Sequence, residues 1–362
     1  MQNNLFIGVM SGTSSDGLDI SLCKITPKDF LILDSISKKY SNRVKQGILK
    51  LNQSSFDDLE SSKAMGDKIS KICIPLIHQL LRQNHLKSAD IQAIGFHGPT
   101  IRHQPNKNFS IQIGNKFMLA EKTNIAVVHD FRNMDIANGG QGAPLIPLFH
   151  KYLLNLKGIK KGVFLNLGGF ANLSIIDRQS VTGFDTGPGN IFLDLWIKKC
   201  LNKNFDKNGA WAKSGKIIPS LLQKMLSDPY FIKKTPKSTS RDYFNEQWLQ
   251  KFNLKKFNEN DAQRTLLELT ICSIQMHLEK LNNLKNLFIC GGGAFNTFLI
   301  EELAHHTKLK IKTTDNLTVN PQLIEACGFA WLAQQRVNLK RLNYQKITGS
   351  RKNNLLGVIV HP

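Results

Sequence analysis

The stretch that most constrains this chain is Gly183-Phe184-Asp185-Thr186-Gly187-Pro188-Gly189-Asn190. Ser180-Val181-Thr182 before it reads as a short strand, and Ile191 to Leu201 after it reads as a helix. Three glycines around a single carboxylate make a turn where backbone can come close to a ligand, and Pro188 fixes part of that turn. Chemistry in α/β proteins gathers at the carboxyl ends of strands, which makes Asp185 a candidate functional residue. A tight strand-to-helix turn in which Asp185 only caps N–H groups fits the same residues equally well. Three further glycine-rich turns elsewhere in the chain separate the two readings.

The first turn follows the apolar run Leu5 to Val9. It reads Met10-Ser11-Gly12-Thr13-Ser14-Ser15-Asp16-Gly17 and leads into the alternating run Leu18 to Ile25, so a hairpin is predicted. Such a turn presents N–H and O–H donors to a phosphate. It is not a Walker loop, because no G-x-x-x-x-G-K-[ST] occurs. Ile32 to Lys38 reads as a third strand. The second turn is Gly168-Gly169, between strands Gly162–Leu167 and Asn172–Ile176, and Val181 to Phe184 then reaches Asp185. Strand, glycine turn, strand, short strand is therefore read twice, a duplication of pattern without duplication of residues. The last turn, Gly291-Gly292-Gly293-Ala294-Phe295-Asn296, follows the strand Leu287–Cys290 and opens a helix.

Between these turns, helices are predicted over 57–82, from Pro144 to about Leu154, over 261–281 with Asp261 as cap, and over 321–337 carrying Glu325. Strands Ile91–Phe96 and Ile125–Val128 end in loops that hold His97, Arg102, Asp130, Arg132 and Asp135. Residues 204–260 are the least regular; with the polar stretch Thr235 to Arg241, they are expected to form an insertion or a lobe over a cleft. Leu355 to Val360 ends the chain as a strand. Strands alternating with helices, with glycines at strand ends, predict an α/β fold.

A length of 362 residues suggests two domains or one large one. Residues 1–130 are read as one lobe and 131–342 as another, with the strand in 343–362 available to return to the first. The net charge of +21 raises the possibility of nucleic-acid binding, but lysine far outnumbers arginine, and the lysines are scattered among asparagines. The reading is a lysine-rich surface that attracts anions in general, with no nucleic acid as partner. The six cysteines stand singly in apolar segments, with no C-x-x-C pair, as expected for reduced thiols in a cytoplasmic protein. No window has the roughly 18 uninterrupted apolar residues of a membrane span, and no signal-peptide pattern is read at the N-terminus.

The turns at 10–17, 168–172, 185–190 and 291–296 suit one nucleotide held between two lobes of one topology. That is the arrangement of the actin-like ATPase and sugar-kinase superfamily, with ribonuclease-H-like lobes and an interlobe cleft. The chain also resembles the anhydro-N-acetylmuramic acid kinase family along nearly its whole length. The matching motifs are MSGTSSDGLD at 10–19, HGPTIRH at 97–103, DFRNMDIANGGQGAPL at 130–145, NLGGFANL at 166–173, GFDTGPGN at 183–190 and CGGGAFN at 290–296. Pro99 and Phe295 depart from the family pattern.

The resemblance implies a kinase that joins 1,6-anhydro-N-acetylmuramate, ATP and water to give N-acetylmuramate 6-phosphate and ADP, in recycling of cell-wall sugar. It also implies a homodimer. Asp185 is the expected general base, and Glu325 is expected to help position sugar and water. The nucleotide is assigned to Gly12, Thr13, Ser14, Ser15, Asp16, Gly17, Leu18 and Asp19, to Asn166, Gly168, Gly169, Gly187, Gly189 and Asn190, and to Gly291, Gly292, Gly293 and Asn296. Lysine is absent from the first turn, so Mg²⁺ is expected to neutralise the phosphates, held by Asp16 or Asp19 through water. His97, Arg102, Asp130, Arg132 and Asp135 are the expected sugar contacts, an arginine suiting the lactyl carboxylate. Turn capping competes for Asp16 and Asp19, loop-holding Arg–Asp pairs for Asp130 and Asp135, a core histidine for His97 and a surface glutamate for Glu325. The rival functions are a kinase of an ordinary sugar or polyol hydroxyl and an actin-like, nucleotide-gated binding protein.

Overall fold

The computed structural model describes residues 4–12, 15–53, 58–235, 237–281, 284 and 286–362. The chain divides after Lys157 and again before Leu323 into two compact units. The first holds β1 (Leu5–Met10), β2 (Gly17–Ile25), β3 (Phe30–Lys39), β4 (Ile91–His97), the hairpin β5 (Thr100–Gln104) and β6 (Phe109–Gln112), and β7 (Val127–His129). The second holds β8 (Lys161–Leu167), β9 (Phe170–Asp177), β10 (Ser180–Pro188), β11 (Leu287–Cys290) and β12 (Ile311–Thr313). The last strand, β13 (Val358–Val360), returns to the first unit and pairs with β7.

The two sheets share one plan. In the first unit the order is β13-β7-β4-β1-β2-β3, with β1, β2 and β3 antiparallel and β4 and β7 added in parallel. In the second it is β10-β9-β8-β11-β12, with the same antiparallel triplet and two parallel additions. Each unit is therefore a ribonuclease-H-like α/β unit, the topology of the actin-like ATPases, and the repeated strand pattern of the sequence is a repeated topology.

Alternation sets the faces of β1. Ile7 and Val9 pack into a core with Ile69, Cys73, Ile77 and Leu80 of the helix Leu59–Gln83. On the opposite face Gly8, and beside it Gly95 of β4, lie under the helix Ile324–Val337. A Cβ at Gly8 would fall 1.8 Å from the Ala326 carbonyl oxygen, and one at Gly95 2.1 Å from that of Phe329. Only glycine lets this helix press its backbone onto the sheet. Cys23 of β2 lies on the same face, its sulfur 3.9 Å from that of Cys327. None of the six cysteines forms a disulfide.

Several boundaries differ from the sequence reading. The unit division falls after Lys157 rather than after residue 130, and before Leu323 rather than after residue 342. The physical reason is aromatic packing: on the helix Pro147–Leu156, Tyr152 stacks on Trp331 and Phe149 packs tilted against it, which ties that helix into the first unit. That helix opens at Pro147, not Pro144. The helix expected over 57–82 spans Leu59–Gln83 with Asp58 as its cap; residue 57 lies outside the described residues. The helix expected to be capped by Asp261 begins at Glu259, and Asp261 instead accepts the Lys216 N–H at 2.7 Å. A helix at Asn42–Leu51 was not anticipated.

Candidate active site

In the second unit three of the four glycine turns interlock. The N–H groups of Gly189 and Ile191 donate to the Gly169 carbonyl at 2.9 and 3.1 Å, and that of Asn190 donates to Gly168 at 2.9 Å. A Cβ at Gly189 would lie 2.5 Å from the Gly168 oxygen. Gly291 has φ +80°, and a Cβ there would lie 2.3 Å from Asn166 Oδ1. At Gly293 a Cβ would lie 2.5 Å from Leu167 Cβ and 3.1 Å from Asn190 Nδ2. Gly292 is exposed with no atom near its Cβ position, so its backbone stays open to a ligand. Asn190 Nδ2 donates to the Leu167 carbonyl at 3.2 Å, and Asn296 caps the helix Thr297–Thr307 by accepting the Leu299 N–H at 3.1 Å. The turns that sequence reasoning assigned to one ligand at 168–169, 187–190 and 291–293 are thus one surface at the ends of β8, β10 and β11.

Asp185 stands beside that surface on β10, at a bulge between Asp185 and Gly187. Its N–H donates to the Lys237 carbonyl at 2.9 Å, and its carbonyl accepts the Tyr230 hydroxyl at 2.8 Å. Its carboxylate Oδ2 accepts the Thr239 N–H at 2.9 Å. The polar stretch around 235–241, unassigned from sequence beyond a lobe, is the segment that holds this carboxylate. Lys237 and Thr239 are the residues that sequence reasoning missed; the run of polar residues was the available signal.

In the first unit Asp19 projects from the start of β2, and one of its oxygens accepts the Ser37 hydroxyl at 2.5 Å. Glu325 begins the helix that rests on Gly8 and Gly95, close enough to Asp19 for the two charges to interact. Burial raises the Glu325 pKa, the Asp19 charge adds to the rise, and the Arg132 guanidinium opposes it. Arg132 donates from Nε to His97 Nε2 at 3.0 Å and from Nη1 to the Gly142 carbonyl at 2.7 Å. His97 is buried and stacks on Phe329 with ring centroids 4.4 Å apart. Its pKa falls well below the usual histidine value, through burial first and the Arg132 charge second. The imidazole is therefore neutral and accepts from arginine.

The remaining predicted residues are placed less centrally. Thr13 and Ser14 lie outside the described residues. Ser15 is buried in a left-handed conformation, and its N–H donates to the Gly12 carbonyl at 3.0 Å. A Cβ at Gly17 would meet the Lys38 oxygen at 2.3 Å, so this glycine serves the β2–β3 pairing. The Leu18 side chain sits in the core, leaving only its backbone to a ligand. Asp16 is exposed and paired with Lys45. Arg102 donates to the carbonyls of Leu51 and Gln53 and so caps the helix Asn42–Leu51. Asp135 is fully buried and accepts from the Gly142 N–H, Thr348 and Asn354 at 2.8–2.9 Å, joining its loop to the C-terminal segment. Burial raises its pKa despite these donors. Asp130 caps Asn133 and borders a cavity of about 220 Å³ with Ser110, Gln112, Lys116 and His129.

Among the described residues no cluster of three His, Cys, Asp or Glu side chains is placed to hold a metal ion. Nor is any described helix long and apolar enough to cross a membrane.

Two ribonuclease-H-like units with glycine turns at strand ends, and a carboxylate on the second strand of one and the third strand of the other, define the actin-like ATPase and sugar-kinase class. Within that class, the chain belongs to the anhydro-N-acetylmuramic acid kinase family, whose sequence profile matches residues 4–362. It is 43% identical over 359 residues to the anhydro-N-acetylmuramic acid kinase of Pseudomonas syringae pv. tomato, covering 98% of each chain. It is 40% identical to that of Shewanella oneidensis, covering 99% of this chain and 98% of the relative. A solved structure, the activator of 2-hydroxyisocaproyl-CoA dehydratase from Clostridium difficile with bound ADPNP, is 12% identical with a TM-score of 0.46, covering 94% of this chain and 99% of that one.

Proposed function

We propose that this chain is an ATP-dependent kinase that opens 1,6-anhydro-N-acetylmuramate with water and delivers N-acetylmuramate 6-phosphate and ADP, in recycling of cell-wall sugar. The family match over residues 4–362 carries the reading and does not favour an ordinary sugar kinase or a nucleotide-gated binding protein. Asp185 takes a proton from water, the water oxygen bonds to the anomeric carbon, and the bond from that carbon to the 6-oxygen breaks, as in inverting glycoside hydrolysis. The 6-oxygen attacks the γ-phosphorus, and the bond to the ADP oxygen breaks. The Thr239 N–H on Oδ2 keeps the carboxylate oriented for the first step.

The open backbone of Gly292 suits the nucleotide, because N–H groups of glycine turns cradle phosphates, and the interlocked turns at 168–169 and 187–190, whose N–H groups at 189–191 donate within the turns, shape the surface beside it. Arg132, already donating to His97 and Gly142, is the candidate partner of the lactyl carboxylate. Asp130 and the polar lining of its cavity suit sugar hydroxyl and amide groups. Arg102 and Asp135 shape loops rather than touch the sugar.

A Mg²⁺ ion that arrives with ATP takes one or two carboxylates and keeps several waters, so it needs no three-residue cage. Asp19 fits that role better than Asp16, which Lys45 already neutralises. The ion supplies charge neutralisation at the phosphates. The protein is read as a cytoplasmic homodimer.

The test is a product assay with the anhydro sugar, ATP and Mg²⁺ in isotopically labelled water. Label at the anomeric carbon and none in the phosphate is expected. Phosphorylation of N-acetylmuramate or glycerol, with none of the anhydro sugar, would overturn the reading.

A further inference from the structure

The second unit buries a lysine that the reaction above does not use. Lys237 is 3% exposed, in a surface otherwise rich in solvated lysines. Its ammonium donates to the carbonyls of Tyr230 and Phe231 at 3.1 and 3.3 Å, the end of the short helix Pro229–Ile232. It also lies 4.5 Å from the centroid of the Tyr230 ring. A buried ammonium persists only where acceptors and an aromatic face replace its water. The same two residues hold Asp185: the Lys237 carbonyl accepts the Asp185 N–H, and the Tyr230 hydroxyl donates to the Asp185 carbonyl. Two residues on from Lys237, the Thr239 N–H reaches the Asp185 carboxylate.

We propose that Lys237 is the positioning residue of Asp185: its buried ammonium latches residues 237–239 to the 229–232 turn, so that the Thr239 N–H fixes the carboxylate, and its charge favours the ionised carboxylate. The proposal rests on Asp185 being the base. The groups that face Lys237 are Tyr230 and Lys233 on the adjoining turn, Asp185 on β10, and His277 and Lys280 at the end of the helix Glu259–Leu278 and just beyond it. Among the charged side chains facing it, Asp185 is the one whose charge stabilises that of the lysine. Burial first, then Lys280 and Lys233, push the Lys237 pKa down to about 8. His277 is held neutral, its pKa pushed down to about 4 by burial first and then by Lys237 and Lys280.

The test compares Lys237→Met, Lys237→Arg, Thr239→Pro and Asp185→Asn for kcat, KM for ATP and the pH profile of kcat, with thermal melts to confirm folding. Lys237→Met is expected to lower kcat about 10–100-fold, the scale of a misplacement near 1 Å, with KM for ATP within twofold. Its acidic limb should move to higher pH, because loss of a nearby cation raises a carboxylate pKa. Arginine can make the same carbonyl bonds and should restore kcat. Wild-type kcat should decline above about pH 8 as Lys237 loses its proton, and Lys237→Arg should lack that decline.

Thr239→Pro removes the orienting N–H without touching the lysine and should lose kcat alike. A folded Lys237→Met with wild-type kcat and pH profile overturns the proposal. If Lys237→Met does not fold, wild-type kcat in Thr239→Pro, or identical alkaline limbs in wild type and Lys237→Arg, overturns it instead. Turnover retained in Asp185→Asn refutes the underlying base assignment alone, whereas loss there with normal Lys237→Met refutes the latch alone.

Discussion

The two units can be compared strand by strand, and one row across each sheet shows what differs. In the first unit the row runs His97, Met10, Asp19, Ser37 across β4, β1, β2 and β3. In the second the matching row runs Cys290, Asn166, Asn172, Asp185 across β11, β8, β9 and β10. Each row holds one carboxylate, on the second strand in one unit and on the third in the other. Two residues back along the first strand, the pair is Gly8–Gly95 in the first unit and Phe164–Phe288 in the second. The phenylalanines fill their sheet face with rings 5.3 Å apart, while the glycines admit a helix backbone that carries Glu325. A shared topology thus offers the same address twice, and the side chains in one row and one pair decide what stands there.

The comparison breaks hardest at the two carboxylates. Asp185→Asn keeps the shape but cannot take a proton from water, so turnover should fall by roughly 10²–10⁴-fold, ring opening and phosphorylation together. Asp19→Asn should instead raise the Mg²⁺ requirement about 10–100-fold, the scale seen when a residue that orients a metal is lost. Product analysis with magnesium titration separates the two. If Asp185→Asn keeps both activities, Glu325 becomes the better base; if Asp19→Asn leaves the Mg²⁺ requirement unchanged, the two rows have not divided the work as argued.

The glycine pair gives the next largest effect. Gly8→Val forces side-chain atoms into the Ala326 carbonyl, and such overpacking costs about 1–3 kcal/mol. The helix must shift, carrying Glu325 with it, so turnover should drop more than the stability loss explains. Thermal melts with kinetics at a temperature where the variant is folded check this. Wild-type turnover in a folded Gly8→Val would show that the position of Glu325 is not set by the glycine contact.

The legible parts were those written in local pattern. The glycine turns, the strand reaching Asp185 and the repeated triplet of strands each announce themselves within a few residues. What stayed hidden depends on partners far along the chain. Gly8 and Gly95 sit inside ordinary apolar runs, and the helix that needs them is near the other terminus. Arg102 looks like a loop arginine free for a carboxylate until the helix Asn42–Leu51 presents its open carbonyls. The boundary at Lys157 follows from Trp331 packing against Phe149 and Tyr152, a contact that no local composition shift marks.

The smallest effect sharpens the comparison through the histidines. Among the described residues the first unit holds His103 and His129 with pKa values lowered to about 4 and His150 lowered to about 3, burial being the first cause in each, besides His97, which burial also lowers well below the usual value. Among its described residues the second unit holds one such residue, His277, lowered to about 4. A histidine kept neutral in the folded state costs nothing above its unfolded pKa, near 6.5, where both states are uncharged. Below that the unfolded chain binds the proton and the folded chain does not, so stability falls with pH until the folded pKa is reached. For His150, 2% exposed, this amounts to about 2 kcal/mol at pH 5. Hydrogen exchange followed from pH 7.5 to 5, corrected for intrinsic rates, should therefore show protection lost sooner in residues 1–157 and 323–362 than in 158–322. His150→Asn should flatten part of that dependence in the first unit only. Earlier loss in the second unit would mean that the buried histidines do not set the order in which the two units lose protection.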